Sequence, residues 1–492
     1  MKGAIVMKKE LAAIVCAVSL LTAVQAAPTW AADVQAVSSA TTVQSSVQGV
    51  QLESANWDPT VKASINSFLK AYGNQSPTYN PNEKPYAVFD FDNTTSILDM
   101  EEQLMIWQLD HLAFAVAPDQ MENVLLTGIP KDKLDLTYGA NDGDGTQVKI
   151  SDAIKDAAAD YKVLYEKHLV TKDGSELSDA AKALPEYQDF KAKMRWLYDA
   201  IGETMDASVS YPWVTYWFTG MTSDDVYNLA LRCDDYYANP AKGQTWSKGS
   251  YTSPNGLASK AGAVTVSYKL GVTVTPEIKE LYGALAANGI DIWICSASPI
   301  DVIRAAKDYF KIPGVTGVVA MTNKKDAEGR YINEYNYDLH AQTQGVGKSL
   351  TISKVIAPKY NGRGPAFAAM DSQGDFNFCT EYKDTKEVLV VNRQRTDDAA
   401  LTAGIAVWQK RHGVTLDIAN KAGDTLYVLQ GRDENNGTFW PEDNTLLLGK
   451  KNKSFLSEKG LKAIDDLDKG KTIGQVLKDN TKLKDYQGYK TR

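Results

Sequence analysis

The chain has 492 residues, 43% hydrophobic and 23% charged, with 53 Lys and Arg against 61 Asp and Glu. Those proportions exclude a disordered, collagen-like or polytopic membrane protein, and the length exceeds a single small module. The acidic balance makes nucleic acid a poor partner.

In chain order, the first feature is a cationic start (Lys2, Lys8, Lys9), then an uncharged apolar run over 11–24, then small residues at Ala26, Ala31 and Ala32. This layout reads as an export signal over residues 1–32, too short to cross a bilayer, which takes about 20 residues. The expected location is secreted, periplasmic or on the cell envelope, and Val15 ahead of Cys16 argues against a lipid or other stable membrane anchor. Three further cysteines, Cys233, Cys295 and Cys379, are odd in number and far apart, which suits buried thiols with one disulfide at most. Four isolated His residues give no zinc pattern.

Residues 33–56, largely Ser, Val, Gln and Thr, read as a flexible linker. A first core segment over 57–105 opens with Asp58-Pro59, which starts a helix whose Val61, Ile65, Phe68 and Leu69 share one face, and continues into the apolar strand run 84–89. Residues 106–275 show helical periodicity, as at 105–112 and 187–201, and read as a helical cap domain. A second core segment over 276–400 holds three more buried-strand runs, at 290–295, 366–370 and 388–391. Residues 401–492 read as a C-terminal extension of the core without a chemical signal. Together these elements predict an α/β fold, a Rossmann-like parallel sheet with a large inserted cap, whose ligand crevice lies beyond the carboxyl ends of the strands.

Chemistry gathers at those strand ends. Asp90-Phe91-Asp92-Asn93-Thr94-Thr95 follows the first strand, placing two carboxylates two residues apart where the backbone turns; taken alone it also suits an ordinary Asx-type turn. Ser296 ends the second strand run, and Ser298-Pro299 opens a helix whose amides suit an anion. Asp371 and Asp375 follow the third. Clustered acids without a local base call for a hard cation, and magnesium suits an all-oxygen site. Lys348, in a Gly-Lys-Ser context, is not the end of a P-loop, because Gln342 stands where that motif needs Gly; a lysine reaching a phosphate from a helix start fits better.

The ordered set Asp90, Asp92, Thr94, Ser296, Lys348, Asp371 and Asp375 resembles the four motifs of the haloacid dehalogenase superfamily of phosphatases, and the long insert stands where that superfamily carries its first-type cap. The resemblance implies that Asp90 is a nucleophile forming an aspartyl-phosphate and Asp92 a general acid/base. It implies magnesium held by Asp90, the Asp92 carbonyl and Asp371, with Asp375 in support, and phosphoryl oxygens oriented by Ser296, Lys348 and Thr94. Met370 departs from the Gly that many members carry before Asp371.

The stretch from Asp90 through Asp99, Glu101 and Glu102 is similar to phosphoserine phosphatases and more so to secreted phosphorylcholine phosphatases. It implies a small phosphate monoester with a cationic head group, phosphocholine or phosphoethanolamine, met by Asp99 and Glu102. Trp213 and Trp217, in an aromatic run from Tyr211 to Phe218, are the candidate aromatic faces for that head group, though rings at helical spacing equally suit a cap core. A phosphoserine-type or broad-specificity phosphatase is the alternative; phosphoserine adds a carboxylate and would need an Arg or Lys near Asp99, and none is evident in the sequence. A catalytically silent amine-binding protein is the alternative of another class. Asp142-Gly143-Asp144-Gly145-Thr146 lacks the Gly and Glu of a calcium loop and reads as a turn.

Overall fold

A computed structural model describes residues 49–141, 145–239, 241 and 246–480. The expected export signal and most of the expected linker fall outside them, as do residues 142–144 of the turn set aside above. Six short apolar segments pair in parallel: β1 (Tyr86–Phe89), β2 (Asp291–Pro299), β3 (Val315–Met321), β4 (Phe367–Met370), β5 (Glu387–Val391) and β6 (Leu426–Gln430). Their spatial order is β6-β5-β4-β1-β2-β3. Every residue of β1, β4, β5 and β6 is buried. Both faces are therefore covered, which is why these strands read as continuous apolar runs rather than alternating ones. Alternation survives in where the side chains go: Ala87 and Phe89 enter one core cluster, Tyr86 and Val88 the other.

The chain leaves β1 toward β2 and β3 on one side and later fills β4, β5 and β6 on the other. The direction reverses between β1 and β4, where Phe89 lies opposite Ala369, so a crevice opens beyond these two strand ends. The β2–β3 register shifts between Ser296 and Pro299, bending the end of β2 where Ala297 and Ser298 reach that crevice.

Helix α1 (Pro59–Tyr72) is capped by Asp58, whose carboxylate accepts from the Thr60 and Val61 amides. Residues 49–56, expected to belong to the flexible linker, are instead tied to the core. Leu52 is buried, its amide donates to Asn66, and Glu53 and Ser54 donate to Glu280. Helix α2 (Met100–His111) leads into an insert that is mainly helical, including α3 (Pro185–Thr204) and α4 (Ser223–Tyr237). It also carries two hairpins, Thr137–Gly139 with Gln147–Lys149 and Ser247–Thr252 with Thr265–Leu270. In the C-terminal part, the helix Ala399–Arg411 crosses Glu458–Asp468 so closely that a Cβ on Gly404 would collide with the Gly460 carbonyl. Cys233, Cys295 and Cys379 are free and buried. No helix among the described residues is long and apolar enough to cross a membrane.

Candidate active site

The Asp90 amide donates to the Ala369 carbonyl at 3.2 Å, extending the β1–β4 ladder by one residue before the chain turns. The amides of Thr94, Thr95 and Ser96 then converge on the Phe91 carbonyl, and Asn93 adopts a left-handed φ of 66°. Asparagine tolerates that region better than most residues because its short amide can bond locally. This tight turn presents Asp90 and Asp92 to the crevice and delivers the chain to Asp99. Asp99 caps α2, its carboxylate accepting from the Glu102 amide at 2.9 Å.

Asp90 is nearly fully buried. One carboxylate oxygen accepts from Lys348 Nζ at 2.6 Å, the other from Thr94 Oγ1 at 3.0 Å. The same Thr94 hydroxyl lies 3.1 Å from Asp371 Oδ1, and the same Lys348 ammonium donates to Asp375 Oδ1 at 2.6 Å. Asp371 Oδ2 accepts from Arg393 at 2.6 Å. Asp90, Asp371 and Asp375 each offer an oxygen within 4.8 Å of the others, a buried set of hard donors that fits a small divalent cation.

Burial and the Asp375 charge push the Asp90 carboxyl well above its ordinary range, against the pull of Lys348. Burial also works against the Lys348 ammonium, but the Asp375 and Asp90 carboxylates outweigh it and hold the lysine charged. Asp92 is held separately: Oδ1 accepts from the Met100 amide at 2.7 Å, and Oδ2 from Ser298 Oγ at 2.7 Å and Ser296 Oγ at 3.3 Å. Burial and the neighbouring Asp90 raise it to about 7 despite the Ser298 and Met100 bonds. Two carboxyl groups two residues apart therefore sit in different surroundings: one faces an ammonium, the other two hydroxyls and a backbone amide.

A cavity of about 440 Å³ brings together Asp90, Asp92, Lys348, Asp371 and Asp375 with Asp99 and Glu102. Four expected residues do not line it. Thr94 lies beneath, tying Asp90 to Asp371, and Ser296 is wholly buried, so Ser298 is the β2 hydroxyl that faces the cavity. Trp213 and Trp217, expected at a head group, are buried in the cap, edge to face at 5.4 Å, with Trp213 Nε1 donating to the Leu125 carbonyl at 2.7 Å. Their apolar area is used in packing, which corrects the head-group expectation.

Other residues carried no motif. Arg393 follows β5 and Arg432 follows β6; position at a strand end was their only sequence signal. Arg432 is fully buried, donates to the Asn93 carbonyl at 2.7 Å and side chain at 3.0 Å, and pairs with Glu434 at 2.6 Å. The C-terminal extension, which showed no chemical signal in sequence, thus holds the turn that follows Asp92. Tyr198, Tyr211 and Tyr268 are the aromatic rings of the cavity.

No family model and no curated protein matches the sequence. Among solved structures, a conserved protein of unknown function from Anaerococcus prevotii is 25% identical, with a TM-score of 0.68, over 82% of this chain and 100% of its own. A haloacid dehalogenase family hydrolase from Salmonella enterica superposes with a TM-score of 0.29 at 9% identity, over 62% of each chain. A phosphoserine phosphohydrolase-like protein from Francisella tularensis does so at 0.25 and 13%, over 63% of this chain and 87% of its own. The first shares the fold over 82% of this chain; the other two superpose too loosely to carry a function across.

Proposed function

We propose that the chain is an exported, magnesium-dependent phosphomonoesterase of the haloacid dehalogenase superfamily that works through an aspartyl-phosphate. The observation that carries this reading is Asp90, bound to Lys348 at 2.6 Å at the tip of β1 and followed two residues later by Asp92, raised to about 7. An Asp90 oxygen attacks phosphorus as the ester P–O bond breaks, and Asp92 delivers its proton to the leaving alkoxide. Asp92 then takes a proton from water, whose oxygen attacks phosphorus and frees Asp90 and inorganic phosphate. Lys348 and Ser298 orient phosphoryl oxygens, and burial of the site keeps their charge and dipole effective. Asp90, the Asp92 carbonyl and Asp371, with Asp375 in support, would hold magnesium, which would further neutralise phosphoryl charge.

The alcohol portion is small, to suit a cavity of about 440 Å³, and carries an amine, because Asp99, Glu101 and Glu102 all line that cavity. An amine that donates hydrogen bonds, as in phosphoethanolamine, suits carboxylates better than a quaternary ammonium that relies on aromatic faces. The test is phosphate release from phosphoethanolamine, phosphocholine and p-nitrophenyl phosphate, with magnesium and with chelator. Release that needs magnesium and falls about a thousandfold or more in Asp90→Asn is the expected result. Wild-type rates in that variant would sink the mechanism, and choline affinity without phosphate release would favour a binding protein.

A further inference from the structure

Six cations line the cavity: Lys348, Arg393, Arg195, Arg395, Lys248 and Lys269. Four have carboxylate partners. Lys348 pairs with Asp90 and Asp375, Arg393 with Asp371, Arg195 with Asp199 and Arg395 with Asp397. Lys248 and Lys269 form no ion pair and no side-chain hydrogen bond among the described residues. They come from the cap hairpin, where they lie directly opposite each other in register. Cross-strand partners share a face with Cβ atoms about 5 Å apart, and like charges so placed destabilise the pair of strands. Burial and the Arg393 guanidinium work against the Lys269 ammonium, with Glu434 and Glu102 offsetting part of this. Lys269 is half-buried and Lys248 exposed at the cavity rim, so two cross-strand lysines meet the cavity with no carboxylate among the described residues in ion-pair contact with either. An anion between them removes the repulsion and accepts a charge-assisted hydrogen bond from each.

We propose that Lys248 and Lys269 receive a second anionic group of the substrate, so that the ester hydrolysed carries a carboxylate or a second phosphate on its alcohol portion. This rests on the phosphomonoesterase reading and narrows its substrate class. The scissile phosphate lies at Asp90 and Lys348, the amine at Asp99, Glu101 and Glu102, and the second anion at the cap hairpin. Because the two lysines belong to the cap while the phosphate site belongs to the sheet, the same contact ties cap to core when substrate is present.

The test uses matched esters that differ in one anionic group: phosphoserine against phosphoethanolamine, 3-phosphoglycerate against glycerol 3-phosphate, and 1,3-propanediol bisphosphate against 3-hydroxypropyl phosphate. Binding to the full-length Asp90→Asn chain is measured by calorimetry, which needs no turnover, and kcat/KM on the wild type. The anionic member of at least one pair is expected to bind about tenfold tighter or more. That ratio should collapse toward one in the Lys248→Gln/Lys269→Gln double variant and persist in Lys248→Arg/Lys269→Arg. The carboxylate and bisphosphate pairs tell the two kinds of anion apart. Equal binding within all three pairs, or a ratio that survives the Gln substitutions, overturns the inference. Discrimination in binding with no phosphate released from any ester by the wild type would leave the second-anion site standing and sink the phosphatase reading instead.

Discussion

Asp92 illustrates how much of this site is decided by single hydrogen bonds. Burial and the Asp90 charge raise its carboxyl to about 7, while Ser298 and the Met100 amide pull it down. A general acid must be protonated when the ester bond breaks, so kcat/KM for alkyl phosphates is expected to fall as pH rises through about 7. Ser298→Ala removes a bond that favours the charged form; the alkaline limb should then move to higher pH, as pH–rate profiles on phosphoethanolamine would reveal. An unmoved limb would take Asp92 out of the proton-transfer step. The tryptophans make the opposite point. Trp213 is completely buried, and Trp213→Ala should cost about 3–5 kcal/mol of stability in urea unfolding. The relative rates on phosphocholine and phosphoethanolamine should stay as they were, since the indole does not reach the cavity.

Among the elements, the segment that follows β6 carries more of the site than its sequence suggests. Arg432 and Glu434 form a fully buried pair, Glu434 being held at about 2 chiefly by the Arg432 and Arg393 charges against the cost of burial. The guanidinium holds Asn93 in its left-handed turn between Asp92 and α2. Arg432→Met leaves a buried carboxylate without its partner, so a stability loss of about 3–5 kcal/mol is expected together with a lower kcat. Adding Glu434→Gln should recover much of the stability, read by urea unfolding, but not the kcat, because the Asn93 carbonyl and side chain still lack the Arg432 donor. Recovery of both would reduce Arg432 to a purely structural role. The strands themselves were largely legible: β1, β2, β4 and β5 fall within a few residues of the apolar runs that mark them. β3 escaped because Gly317 interrupts its apolar pattern, and β6 lay in the C-terminal segment that was read only as an extension of the core.

For the molecule as a whole, pH acts on stability through a buried group outside the cavity as well as through those within it. Glu387, at the start of β5, is completely buried with neither carboxylate oxygen hydrogen-bonded among the described residues, and burial raises it from 4.5 to about 8. Its folded-state pKa lies above the unfolded one. The stabilisation from holding the proton is therefore full below about 4.5 and is lost progressively as pH rises to about 8. Urea unfolding at pH 5 and pH 8 should show a loss that Glu387→Gln reduces, the remainder coming from other raised carboxyls such as Asp92; an equal loss in the variant would take Glu387 out of the pH dependence. The sequence alone determined the chemical kit. Asp90, Asp92, Lys348, Asp371 and Asp375 stand in local patterns that mark strand ends and helix starts, and a buried parallel strand announces itself by composition. Tertiary structure alone decided which isolated cations face the cavity, that Trp213 and Trp217 turn into the cap, and that Arg432 reaches Asn93 across 339 residues. Such contacts join residues whose neighbours in sequence carry no trace of them, because burial and pairing at long separation are set by how the layers pack and not by local propensity.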